Sequence, residues 1–191
     1  GYVVTFNQID PLYVLDLSDP DNPHAVGSLQ LNGFSSYLHD IGSGRLLGVG
    51  QDTSPVNEGG GVYAHIDGLL VQLFDVHNPS KPTRTAHITL SNTPGQAGFD
   101  PHAFLYWAPT GLVAVPVGTW SEQDMGKVLV ARVDGTSLVQ VGLVANNTTS
   151  AGSGVIQRSM IVDGALWTFS DSGIRVSDQR TLAQHAWISF A

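Results

Sequence analysis

The chain has 191 residues, 42% of them hydrophobic and 13% charged, which is enough apolar content to bury a core and excludes wholesale disorder. Sixteen acidic residues against eight basic ones give a net charge of −8. Because such a surface repels phosphate backbones and anionic lipid, we expect no nucleic-acid partner. The absence of cysteine excludes disulfides, thiolate metal sites and cysteine nucleophiles. No apolar run is long enough for a membrane helix, so we expect no membrane insertion by this chain.

A repeated strand–turn–strand segment is the first feature in chain order. The chain opens on the strand pattern Tyr2–Phe6, so we expect a processed or shortened product. Leu12–Leu31 (LYVLDLSDPDNPHAVGSLQL) and Leu70–Leu90 (LVQLFDVHNPSKPTRTAHITL) then have the same layout. Three turn-forming residues recur at one offset: Asp16 with Asp75, Pro20 with Pro79, and Pro23 with Pro82. Since proline lacks an N–H, strands that start after Pro23 and Pro82 are expected at sheet edges.

Further strand pairs follow in degenerate form. Val128–Val133 with Ser137–Val144, and Gly173–Asp178 with Leu182–Phe190, resemble the same pair. Other pairs lie between the copies, each divided by a glycine turn: Tyr37–Ile41 with Leu46–Gly50, Ala103–Trp107 with Leu112–Val117, and Ser159–Val162 with Leu166–Ser170. About four short strands per repeat are typical of a β-propeller blade. The alternative is an up-and-down β-sandwich.

The predicted fold class is therefore all-β, a β-propeller built of four-stranded antiparallel blades. About four blades lie in this chain, of which the first is incomplete. Their approximate bounds are residues 1–34, 35–92, 93–146 and 147–191. A strand array of this kind leaves edges open. We expect the missing strands to come from the rest of a longer protein or from a second copy, or else Tyr2–Phe6 and Ala186–Phe190 to share a composite blade.

The segments LYVLDLSDPDNP, GFSSYLH, LLGVGQD and LFDVHNP resemble a family of secreted bacterial and archaeal β-propellers that is distantly similar to WD40 propellers. The resemblance runs through nearly the whole chain. It implies a C-terminal propeller in a longer exported protein, located outside the cytoplasm, and it brings no catalytic motif with it. Asp134-Gly135 departs from the Asp–Pro–Pro turn, which leaves the bounds of the third blade open.

The innermost strands of the blades supply the candidate ligand-binding residues, because these strands line a propeller's channel. The candidates are His39, Asp40, Asp100, His102 and Arg158. A ring of imidazoles and carboxylates suits a metal ion. Since Arg158 places a cation at the third position, we predict a polar channel and no metal or other cofactor. The oxygen-rich run Asp16–Asn22 lacks the central glycine and closing glutamate of a calcium loop, and we interpret it as turn-building.

Two insertions supply further binding candidates. Gln51–Gly61 (QDTSPVNEGGG) is interpreted as an irregular loop that interrupts a blade and contributes Asp52 and Glu58. Gly118–Gly126 (GTWSEQDMG) contributes Trp120, which lies beside carboxylates in a pattern suited to a sugar ring or a peptide side chain.

The sequence contains no Gly-x-Ser-x-Gly, phosphate-loop or dinucleotide fingerprint. We therefore predict a non-enzymatic binding or scaffold module of an exported protein, with a protein or carbohydrate ligand. The alternative is an extracellular hydrolase or lyase acting on a polysaccharide or similar polymer. An enzyme is expected to bring at least two of the five channel candidates together around one point, with a perturbed carboxylate or imidazole.

Overall fold

The computed structural model describes residues 1–5, 11–58, 61–91, 100–117, 126–147 and 154–190, without the side chains of residues 58 and 61–63. These residues form fifteen strands and two 3-10 helices, with no α-helix among them. The strands make four separate antiparallel sheets, each built from consecutive strands. This confirms the all-β prediction and its blade-like sheets, whereas a sandwich would have shown two packed sheets. The chain divides into two compact units, residues 1–92 and 93–191.

The first unit contains two sheets. The first sheet has three strands, β1 (Tyr2–Val4), β2 (Leu12–Asp16) and β3 (His24–Leu29). The second sheet has four, β4 (Phe34–Gly42), β5 (Arg45–Glu58), β6 (Gly61–Asp75) and β7 (Thr83–Ser91). Strands β3 and β7 are edge strands, as the prolines before them predicted.

A buried cluster joins the two sheets of the first unit. Leu12 of the first sheet packs with Leu46, Phe74 and Val76 of the second. Tyr2, Val4, Leu29, Leu31 and Leu38 are partly buried against this cluster. The alternating apolar residues of β1 and β2 thus place one face of the first sheet on the second sheet.

The second unit contains the other two sheets. The third sheet consists of β8 (Leu105–Trp107), β9 (Leu112–Val117), β10 (Lys127–Asp134) and β11 (Ser137–Ala145). The fourth consists of β12 (Ile156–Val162), β13 (Ala165–Ser170), β14 (Gly173–Asp178) and β15 (Gln184–Ser189). The 3-10 helices Pro101–Ala103 and Ala108–Thr110 flank β8.

The core of the second unit lies between its two sheets. Leu112, Ala114, Val128, Val130 and Val144 of the third sheet pack with Ile156 and Leu166, the latter two from the fourth. Arg132 also connects the third sheet to the fourth through hydrogen bonds. Its guanidinium donates to the carbonyl oxygen of Thr110 at 2.6 Å and to that of Gln179 at 3.3 Å.

The interpretation of Gln51–Gly61 as an irregular loop is wrong. Strand β5 continues to Glu58 and pairs with the start of β6, so the segment forms a two-stranded hairpin that extends the second sheet. Strand β4 ends its pairing at Gln51 and β7 ends its pairing at Gly68; beyond these points, among the residues that the structure describes, the two hairpin strands pair only with each other. Such a strand tolerates Pro55, which had suggested a loop.

Candidate functional site

Asp100 and Arg158 form an ion pair in the second unit. Nη1 of Arg158 donates to Oδ2 of Asp100 at 2.6 Å, and to the carbonyl oxygen of Gln157 at the same distance. The two side chains are 42% and 48% exposed, so the pair is open to solvent. Arg158 lies in β12, the first strand of the fourth sheet, as predicted. The pairing brings together two residues that are distant in sequence.

His102 completes this cluster. The backbone N–H of His102 donates to Oδ1 of Asp100 at 2.9 Å, and Nδ1 of the imidazole lies 3.3 Å from the same oxygen. The prediction that Asp100 and His102 lie in a strand is wrong, because Asp100 caps the 3-10 helix Pro101–Ala103. Pro101 favours this geometry by fixing φ at the first helical position. We call Asp100, His102 and Arg158 the Asp100 cluster.

The carboxylate of Asp100 is held in its charged form. The hydrogen bond from Arg158, followed by the one from the His102 backbone, lowers the pKa of Asp100 below its ordinary value. A carboxylate of this kind is a poor proton acceptor at neutral pH, because it resists protonation. The Asp100 cluster therefore presents fixed charges of both signs to solvent.

His39 and Asp40 lie in β4 of the first unit and have separate contacts there. Nδ1 of His39 lies 3.0 Å from the hydroxyl oxygen of Tyr37, with the two ring centroids 6.0 Å apart. Partial burial lowers the pKa of His39, which favours the neutral imidazole. The exposed carboxylate of Asp40 accepts a hydrogen bond from the Gly42 backbone at 2.8 Å, so it shapes the β4–β5 turn.

The structure describes two of the three candidate binding residues from the insertions. Oδ2 of Asp52 accepts a hydrogen bond from the Thr89 hydroxyl at 3.3 Å, and Oδ1 accepts from the Thr53 backbone at 3.1 Å. Asp52 thus holds the base of the hairpin. Glu58 ends strand β5. Trp120 lies outside the described residues.

Sequence reasoning missed a second polar cluster near the base of the hairpin. Oδ1 of Asp67 accepts from the Ser54 hydroxyl at 3.1 Å and lies 3.0 Å from Nδ1 of His65. The His65 contact and then the Ser54 hydrogen bond lower the pKa of Asp67. The spacing of His65 and Asp67 could have indicated this cluster, since residues two apart in a strand share a face.

The oxygen-rich turns act as predicted. Oδ1 of Asp16 accepts from the backbone of Ser18 at 2.9 Å, and Oδ1 of Asp75 accepts from the backbone of His77 at 2.9 Å. Asp178 plays the same role for Arg180. These backbone hydrogen bonds are the largest contribution to the lowered pKa of Asp16 and of Asp75. The carboxylates are thus committed to turn geometry.

A cavity of about 520 Å³ lies in the first unit, and none of the predicted site residues lines it. Its walls include Tyr2, Val26, Pro79 and Ser80, and Asp16 contributes a carboxylate. This volume is in the range of small-ligand pockets. Within the described part of the chain, no three His, Cys, Asp or Glu side chains are grouped closely enough to hold a metal ion. Those same residues include no helix that is long and apolar enough to cross a membrane.

Comparison with known proteins identifies the fold family. Residues 1–182 match the family described as "Beta propeller domain". The chain belongs to this family. Its four antiparallel sheets are the repeating units that the family name describes.

Relatives of this β-propeller domain include uncharacterized proteins of Archaeoglobus fulgidus and Methanocaldococcus jannaschii. The first is 30% identical over 95% of this chain, and the second is 27% identical over 94%. The chain spans 25% of the length of each relative. Among solved structures, the N-terminal domain of Nup159 is 14% identical over 95% of this chain and 61% of that chain. Its TM-score is 0.30, a value at which the likeness carries no argument.

Proposed function

We propose that this β-propeller domain is a non-enzymatic binding module of an exported protein, and that it recognises a polar ligand through the Asp100 cluster. The observation that carries this proposal is the exposed ion pair between Asp100 and Arg158, with Nη1 and Oδ2 2.6 Å apart. The lowered pKa of Asp100 favours its charged carboxylate, and both side chains remain accessible. Fixed donors and acceptors on rigid elements are what recognition of a polar ligand requires.

The position of the cluster supports this use. Arg158 lies in the first strand of the fourth sheet, and Asp100 precedes β8, the first strand of the third sheet. First strands face the channel of a propeller, where binding groups converge. Gln157, next to Arg158, donates to the carboxylate of Asp171 at 2.8 Å. These amide, carboxylate and guanidinium groups suit the hydroxyls of a carbohydrate or the main-chain groups of a peptide.

An array experiment tests the proposal. The purified chain and its Arg158→Ala variant are applied to arrays of neutral and acidic oligosaccharides and of short synthetic peptides. We expect one class to bind, and the variant to bind it at least about tenfold more weakly. Arg180→Ala is the matched control, because Arg180 is an exposed arginine in the β14–β15 turn of the same unit. Binding to neither array, or equal losses in the two variants, would refute the proposal.

The alternative, a polysaccharide hydrolase or lyase, is favoured by the convergence of three predicted residues in the Asp100 cluster. However, a glycosidase needs a carboxyl group with a raised pKa to act as the general acid. Every resolved pKa shift of a described carboxyl group is downward. We therefore expect the chain to release no new reducing ends or unsaturated products from neutral and acidic polysaccharides. Release that is lost in Asp100→Asn would establish the enzyme instead.

A further inference from the structure

Strand β12 departs from regular pairing at the residue before Arg158. Gln157 has no paired residue in β13, whereas Ile156 and Arg158 on either side of it do, so Gln157 is the extra residue of a β-bulge. A bulged residue is left out of the ladder. The carbonyl oxygen of Gln157 instead accepts a hydrogen bond from Nη1 of Arg158 at 2.6 Å. The bulge therefore helps to fix the position of the guanidinium.

Nη1 of Arg158 is fully occupied by two acceptors. Besides the carbonyl oxygen of Gln157, it donates to Oδ2 of Asp100, also at 2.6 Å. A guanidinium carries five N–H groups in one plane, and two of them are on Nη1. Among the described residues, the three N–H groups of Nη2 and Nε have no hydrogen-bond acceptor. Because the Arg158 side chain is 48% exposed, this Nη2–Nε edge is available to a ligand.

The Nη2–Nε edge of Arg158 matches the shape of a carboxylate. Its N–H groups donate in parallel to the two oxygens of a planar carboxylate, a bidentate geometry that a lysine ammonium does not reproduce. Asp100 and Arg158 together have no net charge. A singly charged carboxylate therefore meets less repulsion from Asp100 than a doubly charged phosphate would.

The distribution of charge along the chain permits such an anion in the second unit. Residues 93–191 contain seven acidic and five basic residues, a net charge of −2, against −6 for residues 1–92. A ligand with many negative charges is still disfavoured by the acidic chain. The expected ligand therefore carries a single carboxylate at this site.

The side chains next to Arg158 present hydrogen-bond acceptors. Nε2 of Gln157 donates to Oδ1 of Asp171 at 2.8 Å, which leaves Oε1 of Gln157 as an acceptor. Since a carboxylate only accepts, Nδ1 of His102 carries the proton in its contact with Asp100, and Nε2 of the neutral imidazole is an acceptor. A sugar ring offers several hydroxyl donors to such acceptors, whereas a peptide offers one main-chain N–H per residue. A carboxylate-binding edge beside several acceptors thus suits a sugar acid.

We propose that the Asp100 cluster binds a uronic acid residue of an oligosaccharide, with the sugar carboxylate on the Nη2–Nε edge of Arg158. This inference rests on the proposed function, which it narrows to one class of ligand. The sugar hydroxyl groups donate to Oε1 of Gln157 and Nε2 of His102. Asp100 and the Gln157 carbonyl hold Nη1, so the free edge is oriented before the ligand binds.

Isothermal titration calorimetry with matched sugars tests the class of ligand. The probes are disaccharides that contain one glucuronate, galacturonate or mannuronate unit. Each is paired with its methyl ester, which keeps the hydroxyl groups but removes the charge. We expect the purified chain to bind at least one of the acids, and to bind the corresponding ester at least about tenfold more weakly. Equal affinity for acid and ester, or binding to none of the acids, would overturn the inference.

The Arg158→Lys variant tests the bidentate contact. Lysine keeps the positive charge but lacks the planar pair of donors, so we expect its affinity for the acid to fall at least about tenfold. Arg180→Lys is the matched control at an exposed arginine of the same unit, and it should bind the acid as the parent chain does. Far-UV circular dichroism and the unfolding midpoint check that both variants are folded. A folded Arg158→Lys chain with the affinity of the parent would contradict the bidentate contact.

A peptide series separates this inference from the proposed function. Short peptides with a free carboxyl terminus, and the same peptides with an amidated terminus, are titrated beside the sugars. If peptides or neutral sugars bind in a manner that requires Arg158 and the sugar acids do not, the proposed function stands and the uronic acid assignment fails. If no sugar and no peptide binds, both fail.

Discussion

The hydroxyl of Thr168 donates to Oδ1 of Asn146 at 2.6 Å, and both side chains are buried. The amide nitrogen of Asn146 donates to the carbonyl oxygen of Thr168 and to the hydroxyl of Ser170, each at 3.1 Å. This network connects the end of the third sheet to the fourth. Asn146 also begins an Asn-x-Thr sequence, but its nitrogen is committed to the interior and is not presented for glycosylation.

Replacement of Thr168 by valine tests this network. The substitution keeps the shape of the side chain but leaves Oδ1 of Asn146 without its buried donor. An unsatisfied buried polar group costs about 1–3 kcal/mol, so we expect the free energy of unfolding to fall by that amount. Urea denaturation measures it. Thr83→Val, at an exposed position in β7, is the matched control and should change stability by less than about 0.5 kcal/mol. Equal effects would show that the network does not stabilise the fold.

A substitution at Gly27 tests whether the two sheets of the first unit approach each other closely. A Cβ at this position of β3 would collide with the carbonyl oxygen of Pro79 in the β6–β7 turn. Since backbone atoms cannot move aside as a side-chain end can, Gly27→Ala should cost about 1–3 kcal/mol. Thermal unfolding followed by circular dichroism measures the loss.

Gly142→Ala is the control for this substitution. A Cβ there would approach only the end of the Leu182 side chain, at 3.0 Å. That side chain can rotate, so we expect a change below about 1 kcal/mol. A Gly27→Ala chain as stable as the parent would contradict the packing described for the first unit.

The pH dependence of stability is expected to include a contribution from Asp178. Hydrogen bonds from the backbone of Thr181 and then of Arg180 lower the pKa of Asp178 below the ordinary 3.8. A lowered folded-state pKa stabilises the protein above the unfolded-state value, and this contribution is lost as the pH falls through the folded-state value. Asp178→Asn removes the titration. Between about pH 5 and pH 2, the variant should lose less unfolding free energy than the parent chain.

The Asp163→Asn variant is the control for Asp178→Asn. Asp163 lies in the β12–β13 turn, where its positive φ of 48° also suits asparagine. Comparison of the two variants separates the effect of the Asp178 hydrogen bonds from the effect of removing one acidic turn residue. If Asp178→Asn loses as much unfolding free energy on acidification as the parent chain, the backbone hydrogen bonds of Asp178 do not favour its charged form.

The hairpin extension should be dispensable for folding. Thr53 and Ile66 pair across its base, so the twelve residues between them can be replaced by Asn-Gly, which forms a two-residue turn. The core cluster of Leu12, Leu46 and Phe74 does not include this segment. We therefore expect a folded chain whose unfolding free energy changes by less than about 1 kcal/mol. Loss of the cooperative unfolding transition would show that the hairpin is part of the core.

The sequence predicted most of the fold because its signals are local. The repeated aspartates mark turns through hydrogen bonds to backbone groups only two residues away, as at Asp16 and Asp75. Alternating apolar residues mark strands in the same local manner. The hairpin was missed because Pro55 and the glycines that follow favour a loop when each residue is judged alone. Cross-strand pairing outweighed that preference.

The sequence also supplied the members of the Asp100 cluster, but only the tertiary structure decided which candidates meet. Asp100 and Arg158 are far apart in the chain, and the packing of the third sheet against the fourth brings them to 2.6 Å. Likewise, composition shows that Met160 and Ile188 are apolar, whereas their exposure depends on the sheet face that each strand presents. Turns and strands follow from contacts between near neighbours. Ion pairs and open faces depend on contacts between distant segments, which the order of residues does not specify by itself.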